Sequence, residues 1–209
     1  MHTPTLALFV LASFVLAVTP GPGVLFLITR TLSQGRSAGL ASIGGLAVGA
    51  FGNLLCASLG LAVLFAVSTL AFTVVKLAGA AYLIYLGFKT LKVTPTTARM
   101  PTAPASRLQL FRSGILVDLL NPKVTLFFAA FLPQFIDPHA AALPQSLFLG
   151  AIFIGIAACT DTLYVLTTAA LGPTVVRRLK PGGAGRYVTA STFIGLGVYV
   201  ALSPSHTSK

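Results

Sequence analysis

Two stretches of this chain are apolar enough to cross a bilayer, and each is interrupted by proline. The first interruption is Thr19-Pro20-Gly21-Pro22-Gly23 and the second, about a hundred residues later, is Asn121-Pro122-Lys123. Proline removes a backbone donor and clashes with the preceding turn, so a helix breaks there. In lipid, the freed backbone groups persist only where protein or a water-filled cavity satisfies them. Interrupted apolar segments at matching places in two halves of a chain point to a binding chamber of the transporter kind.

Composition supports a membrane setting. Of the 209 residues, 56% are hydrophobic and only 8% are charged, which leaves too little polar side chain to wet a soluble surface. A span needs roughly 20 apolar residues, and six segments qualify, at about 5–30, 40–65, 71–88, 113–133, 146–171 and 187–203. The first lacks a basic lead and a small-x-small cleavage pattern, so it is expected to be retained rather than removed as a signal peptide.

The net charge of +11 would suggest nucleic acid in a soluble protein, but its placement argues otherwise. Arg30 and Arg36 follow the first segment. Lys89, Lys92, Arg99, Arg107 and Arg112 lie between the third and fourth, and Arg177, Arg178, Lys180 and Arg186 between the fifth and sixth. The alternate connections carry no Lys or Arg, and only Lys209 follows the last segment. This asymmetry predicts a multi-pass protein of the bacterial cytoplasmic (inner) membrane with both termini outside.

Three segments precede the polar stretch 94–112 and three follow it. An odd number per half makes the halves insert in opposite orientations. The expected fold is therefore an all-α integral membrane protein, with six transmembrane helices arranged as two inverted three-helix repeats whose first helices are broken. The repeats are placed at 1–93 and 113–209, joined by a cytoplasmic linker at 94–112. Ala41, Gly45 and Gly49 recur every four residues, and Gly150 and Gly155 lie early in the fifth segment. Such small residues let helix backbones approach closely in lipid. Cys56 and Cys159 fall within spans and read as small hydrophobes, forming neither a disulfide nor a metal site.

Chemistry is confined to few groups. The chain has three acidic residues, of which Asp137 sits in an outer loop beside Pro138 and His139. Asp118 and Asp161 lie inside the fourth and fifth segments, as does Lys123, and an ionisable residue at membrane depth is a functional hypothesis by default. Counted from each segment's cytoplasmic end, both breaks and Asp161 fall within roughly 8–15 Å of that face, a shared level that suggests one polar chamber. Amides and carbonyls at the breaks can hold a carboxylate and an ammonium, with half-helix N-termini favouring the anion. A carboxyl kept from water holds a proton more readily, so Asp161 is the expected coupling acid, with Asp118 second. The competing structural reading is that one of these acids pairs with Lys123 and locks the bundle. Asn53, Thr160, Thr162 and Thr167 are lesser candidates. Nothing in the pattern resembles a catalytic triad, a metal-ligand cluster or a nucleotide loop, so no enzyme and no cofactor are expected.

The ordered set of Thr19-Pro20-Gly21-Pro22, Gly35-Arg36-Ser37-Ala38-Gly39, Ala81-Tyr82-Leu83 with Leu86-Gly87, and Asn121-Pro122-Lys123 with Phe127-Phe128 and Pro133-Gln134-Phe135 closely resembles the LysE/RhtB family of amino-acid exporters, over about residues 5–203. The resemblance implies export of small amino acids or derivatives, of the threonine, homoserine or lysine kind, by proton antiport. Substrate contacts are then expected at Thr19, Pro20, Gly21, Pro22, Gly23, Asn121, Pro122 and Lys123. The partners it implies are a small amino acid, protons and the lipid bilayer, with a homodimer left open and nucleic acid excluded. Two positions depart from the family pattern: Gly23, where Asn or Asp is common, and Asp118, where Asn is common. A cation exporter for a heavy metal on a related scaffold is the alternative, although two acids and two separated cysteines form a thin ligand set.

Overall fold

A computed structural model describes residues 3–67, 69–92, 104–137, 140–172 and 184–202. Most of the expected linker, the basic cluster at Arg177, Arg178 and Lys180, His139 and the C-terminal tail with Lys209 lie outside these residues. Apart from the two breaks, all six apolar segments are helical where described, and no strand occurs among the described residues.

The first segment is a bent pair, α1 (Thr3–Val18) and α2 (Pro22–Gln34), whose axes differ by 46°. Gly21 is extended there (φ −142°, ψ −172°), and Pro22 opens α2 at the position where a missing N–H costs nothing. The second and third segments are α3 (Arg36–Val67) and α4 (Thr69–Lys92).

The second half repeats this order. Helix α5 (Arg107–Leu119) and α6 (Pro122–Leu126) form another bent pair, and the α6 rod runs on to Phe135 through a wide turn at Phe127–Phe131 and a tight one at Leu132–Phe135. The bend is again 46°. Then come α7 (Ala142–Leu171) and α8 (Ala184–Leu202). Helices α3 and α7 are long and apolar enough to cross a membrane singly, and each bent pair passes the same test as a unit.

The largest boundary difference from the sequence expectation is at α5. Helix α5 starts at Arg107 rather than near 113, because Ser106 and Gln109 form a reciprocal cap. Gln109 N–H donates to Ser106 Oγ (3.3 Å) and Ser106 N–H to Gln109 Oε1 (2.8 Å), which satisfies two donors otherwise orphaned at the helix start. Ala105 N–H also donates to Gln34 Oε1 (2.9 Å), tying this start to the end of α2.

The glycines explain which helices meet. A Cβ on Gly45 would overlap the Phe111 carbonyl, and one on Gly49 would stand 2.6 Å from Ile115 O and 2.8 Å from the Asp118 Cβ. Helix α3 therefore packs backbone to backbone on α5 and holds Asp118 against itself. Helices α4 and α8 meet the same way: a Cβ on Gly87 would lie 2.9 Å from Ala190 O, and one on Gly197 would lie 2.7 Å from Ala80 O. Gly150 receives the Leu54 side chain, whereas Gly155 has nothing within 4 Å, so its expected packing role is not seen.

The core is aromatic. Phe127 stacks on Phe153 at 4.6 Å between ring centroids and on Phe131 at 5.0 Å, and Phe9 meets Phe135 edge-on at 5.2 Å. All five rings are buried, and such pairs add about 0.5–1.5 kcal/mol each beyond area burial. Cys56 and Cys159 are free and lie on the outer helix surfaces.

Candidate functional site

Beside this core, where the two breaks approach each other, lies a cavity of about 50 Å³. Gly21 and Gly23 line it from the first break, Asp118, Asn121 and Lys123 from the second, and Asp161 from α7. Ala47, Ala50, Ala157 and Ala158 make much of the remaining wall. The space is narrow, and its polar groups lie close together.

The second break is held by its own residues and by Asn53 of α3. Asn121 caps α6 by accepting from Lys123 N–H (3.2 Å), and its amide donates to Asp118 Oδ1 (3.2 Å). Asn53 reaches across from α3 to donate to the Asp118 carbonyl (2.8 Å) and accepts from the Thr125 hydroxyl (3.1 Å). One oxygen is left over: Asp118 Oδ2 is buried without a hydrogen-bond partner. A buried acceptor in that state is unfavourable, which makes it the free place for a proton or an ammonium group.

The first break is satisfied from elsewhere. The Thr19 hydroxyl turns back to the Val15 carbonyl (2.7 Å) and onward to Thr192 Oγ1 (3.3 Å), away from the cavity. Two carbonyls at the end of α1 take donors from the second half of the chain. Val18 O accepts from the Tyr164 hydroxyl (2.6 Å), and Thr19 O accepts from the Lys123 ammonium (2.6 Å). The lysine stem crosses Gly21, where a Cβ would stand 3.2 Å from its Cδ. Pro20, Pro22 and Pro122 shape the two breaks without lining the cavity, and Thr19 reaches it only through its carbonyl.

Lys123 is buried and within electrostatic reach of Asp161 and Asp118. Among the described residues, however, neither acid is joined to it by an ion pair. The direct salt bridge of the competing reading is thus not what these residues form. Of the lesser candidates, only Asn53 enters the network. Thr160, Thr162 and Thr167 bond to carbonyls of their own helix. Sequence reasoning passed over Tyr164, although it stands three residues after Asp161 and so on the same helix face.

A Cβ on Gly23 would point to Asp118 Oδ1 at 3.9 Å, with Leu46 at 3.6 Å. The two positions that depart from the family pattern therefore face each other in one cavity.

The two sides of the cavity differ. Towards the α6 rod stands the aromatic core, several side chains deep. Towards the end that carries Arg36, the buried cluster of Leu27, Ile43, Leu46 and Val165 forms a thin layer on α2, α3 and α7. Beyond it, the same three helices line an open hollow of about 720 Å³ with Thr31, Arg36, Leu166 and Thr168. Gly39 lets this layer close tightly, since a Cβ there would lie 2.8 Å from Val165.

Comparisons with known proteins point to a translocator family. The family model described as LysE type translocator matches residues 14–204. A membrane protein of Vibrio cholerae is 34% identical over 92% of this chain and 94% of its own length. A homoserine/homoserine lactone efflux protein of Salmonella typhimurium is 39% identical over 70% of this chain and 71% of its own length. A leucine efflux protein of Salmonella choleraesuis is 27% identical, covering 92% of each. No solved structure matches. With two long apolar helices, two bent pairs that meet at a charged cavity, and a family match along nearly its whole length, the chain is an integral membrane transporter rather than an enzyme, and it belongs to the LysE type translocator family.

Proposed function

We propose that this protein exports small amino acids or their derivatives, of the threonine, homoserine or lysine kind, from the bacterial cytoplasm in exchange for protons. The observation that carries this reading is the meeting of both breaks with Lys123, Asp118 and Asp161 around one cavity. Two carboxylates against one ammonium leave a formal charge of −1 there. A zwitterionic amino acid such as threonine or homoserine brings no net charge, so one proton balances the site, and the substrate and the proton compete for the same acids. Asp161 is the coupling acid, and the unpartnered Asp118 Oδ2 is the second candidate. Gly21, Gly23 and the amides at the start of α2 and α6 receive the carboxylate, where helix N-termini favour an anion. The names of two relatives, one for homoserine and its lactone and one for leucine, favour amino acids over metal cations.

The architecture that goes with this function is two inverted repeats, 1–93 and 113–209, joined by a cytoplasmic linker at 94–112, giving six spans with both termini outside the inner membrane. Three features support it. Both first helices bend by the same angle. The first pair of each half packs on the second helix of the other, α5 on α3 and both α1 and α2 on α7. The third helices, α4 and α8, pack on each other through reciprocal glycines. On this orientation the thin layer around Val165 is the cytoplasmic gate and the aromatic core is the outer one.

The test is efflux from proteoliposomes loaded with a labelled panel including homoserine, threonine, leucine and lysine, with and without an imposed proton gradient. Gradient-driven loss of one or a few compounds is expected. Loss that ignores both the gradient and the membrane potential contradicts the coupling, and no loss of any member from folded protein contradicts the substrate class.

A further inference from the structure

The Lys123 ammonium has an unexpected partner. Two carboxylates line its cavity, and a lysine placed only to neutralise an acid would contact one. Its Nζ donates instead to a backbone carbonyl, Thr19 O, at 2.6 Å. That carbonyl lies just past the C-terminal end of α1, where the aligned peptide dipoles concentrate partial negative charge. In broken-helix transporters, unwound carbonyls and half-helix C-terminal ends are the groups that coordinate a coupling cation. Here the neighbouring Val18 carbonyl is already taken by the Tyr164 hydroxyl, and Lys123 supplies the positive charge.

The surroundings are shaped for that placement. Gly21 leaves room for the stem, with a Cβ there 3.2 Å from Lys123 Cδ and 3.7 Å from Nζ. The backbone of Lys123 is fixed by the Asn121 cap. Of the charged and polar groups around it, Asp118 comes from α5, Asp161 and Tyr164 from α7, Asn53 from α3 and Thr19 from the first break. Asp118 Oδ2 is unpartnered, so the ammonium has a second place to go when it leaves Thr19.

We propose that Lys123 fills the cation-binding end of the first break with its own ammonium group, so that transport needs no sodium ion and proceeds only when this tethered cation leaves Thr19. The bond joins the first half of the chain to the second, so its breakage accompanies any opening between them. This inference rests on the exporter reading above and assigns the cation site within it.

The experiment is chemical rescue. Lys123→Ala removes the ammonium and most of the stem, and efflux should fall by about tenfold, as expected for a charge-assisted hydrogen bond. Millimolar n-propylammonium or sodium should restore a severalfold rate, whereas neutral n-propanol should not. A folded Lys123→Ala protein that transports at the wild-type rate without added cation overturns the proposal, as does one that no cation revives. A second measurement needs no variant: wild-type efflux should be equal in sodium and choline buffers, and stimulation by sodium overturns the proposal. Wild-type efflux that is absent under every condition would instead count against the exporter reading.

Discussion

The two breaks share a bend angle and a proline at the restart of the helix, yet they are held by opposite means. At the second, the local sequence supplies most of the partners: Asn121 caps Lys123 N–H and binds Asp118 three residues back, and only Asn53 reaches in from the first half, to the Asp118 carbonyl and Thr125. At the first, Gly21 precedes α2 without a side-chain cap, and the end of α1 depends on Tyr164 and Lys123 from the far half. The same kink can thus be held mainly by neighbouring residues or mainly by the assembled fold. The first kind should behave as a rigid platform. The second is released when the halves separate, which suits the moving side of a transporter.

This contrast ranks the expected effects of substitution. The largest belongs to Asn121→Ala, which leaves an amide and a carboxylate oxygen unpaired in the interior. It should lower stability by about 2 kcal/mol, read as a drop in the unfolding temperature in detergent. A loss no greater than at an exposed site such as Gly155→Ala would mean that the second break is not self-supporting.

Next comes the acid that faces Gly23. Asp118→Asn should slow gradient-driven efflux by about tenfold, in line with the loss of a charged hydrogen-bond partner. Adding Gly23→Asp returns a carboxyl to the same cavity from the other break and should recover part of the rate. No recovery in a folded double variant would show that the acid must sit on the platform side.

Smaller still is Tyr164→Phe, which removes one hydroxyl from the Val18 carbonyl. Interhelical hydrogen bonds in membranes average about 0.6 kcal/mol, so stability should change little while the substrate exchange rate shifts. An effect as large as that of Asn121→Ala would erase the distinction between the breaks. Gly21→Ala is the mildest, because the added methyl meets only the flexible Lys123 stem at 3.2 Å. A change of a few tenths of a kcal/mol is expected, and a severe loss would mean that the lysine path cannot adjust.

Much of this was readable from the chain. The prolines marked both kinks, and Asp118, Asp161 and Lys123 stood out because ionisable groups are rare in apolar segments. The partners were harder to see. Tyr164 looks like any aromatic residue in a helix of 30 residues, and only the fold brings its hydroxyl to a carbonyl 146 positions away. Ser106 and Gln109 carry a capping signature, but it is set in polar sequence that reads as linker. The wide turn at Phe127–Phe131 is marked only by Pro133 just after it, which has no N–H to continue the ordinary helical ladder. Local chemistry was legible where the site is local, and hidden where one half completes the other.

The most direct test of the central claim follows protons and amino acid together. Proteoliposomes holding a pH-sensitive dye should show proton movement opposite to an imposed gradient of the transported amino acid. Asp161→Asn should abolish that proton signal while exchange of labelled for unlabelled substrate persists. Substrate flux without proton movement in the wild type, or an unchanged proton signal in Asp161→Asn, would contradict the account.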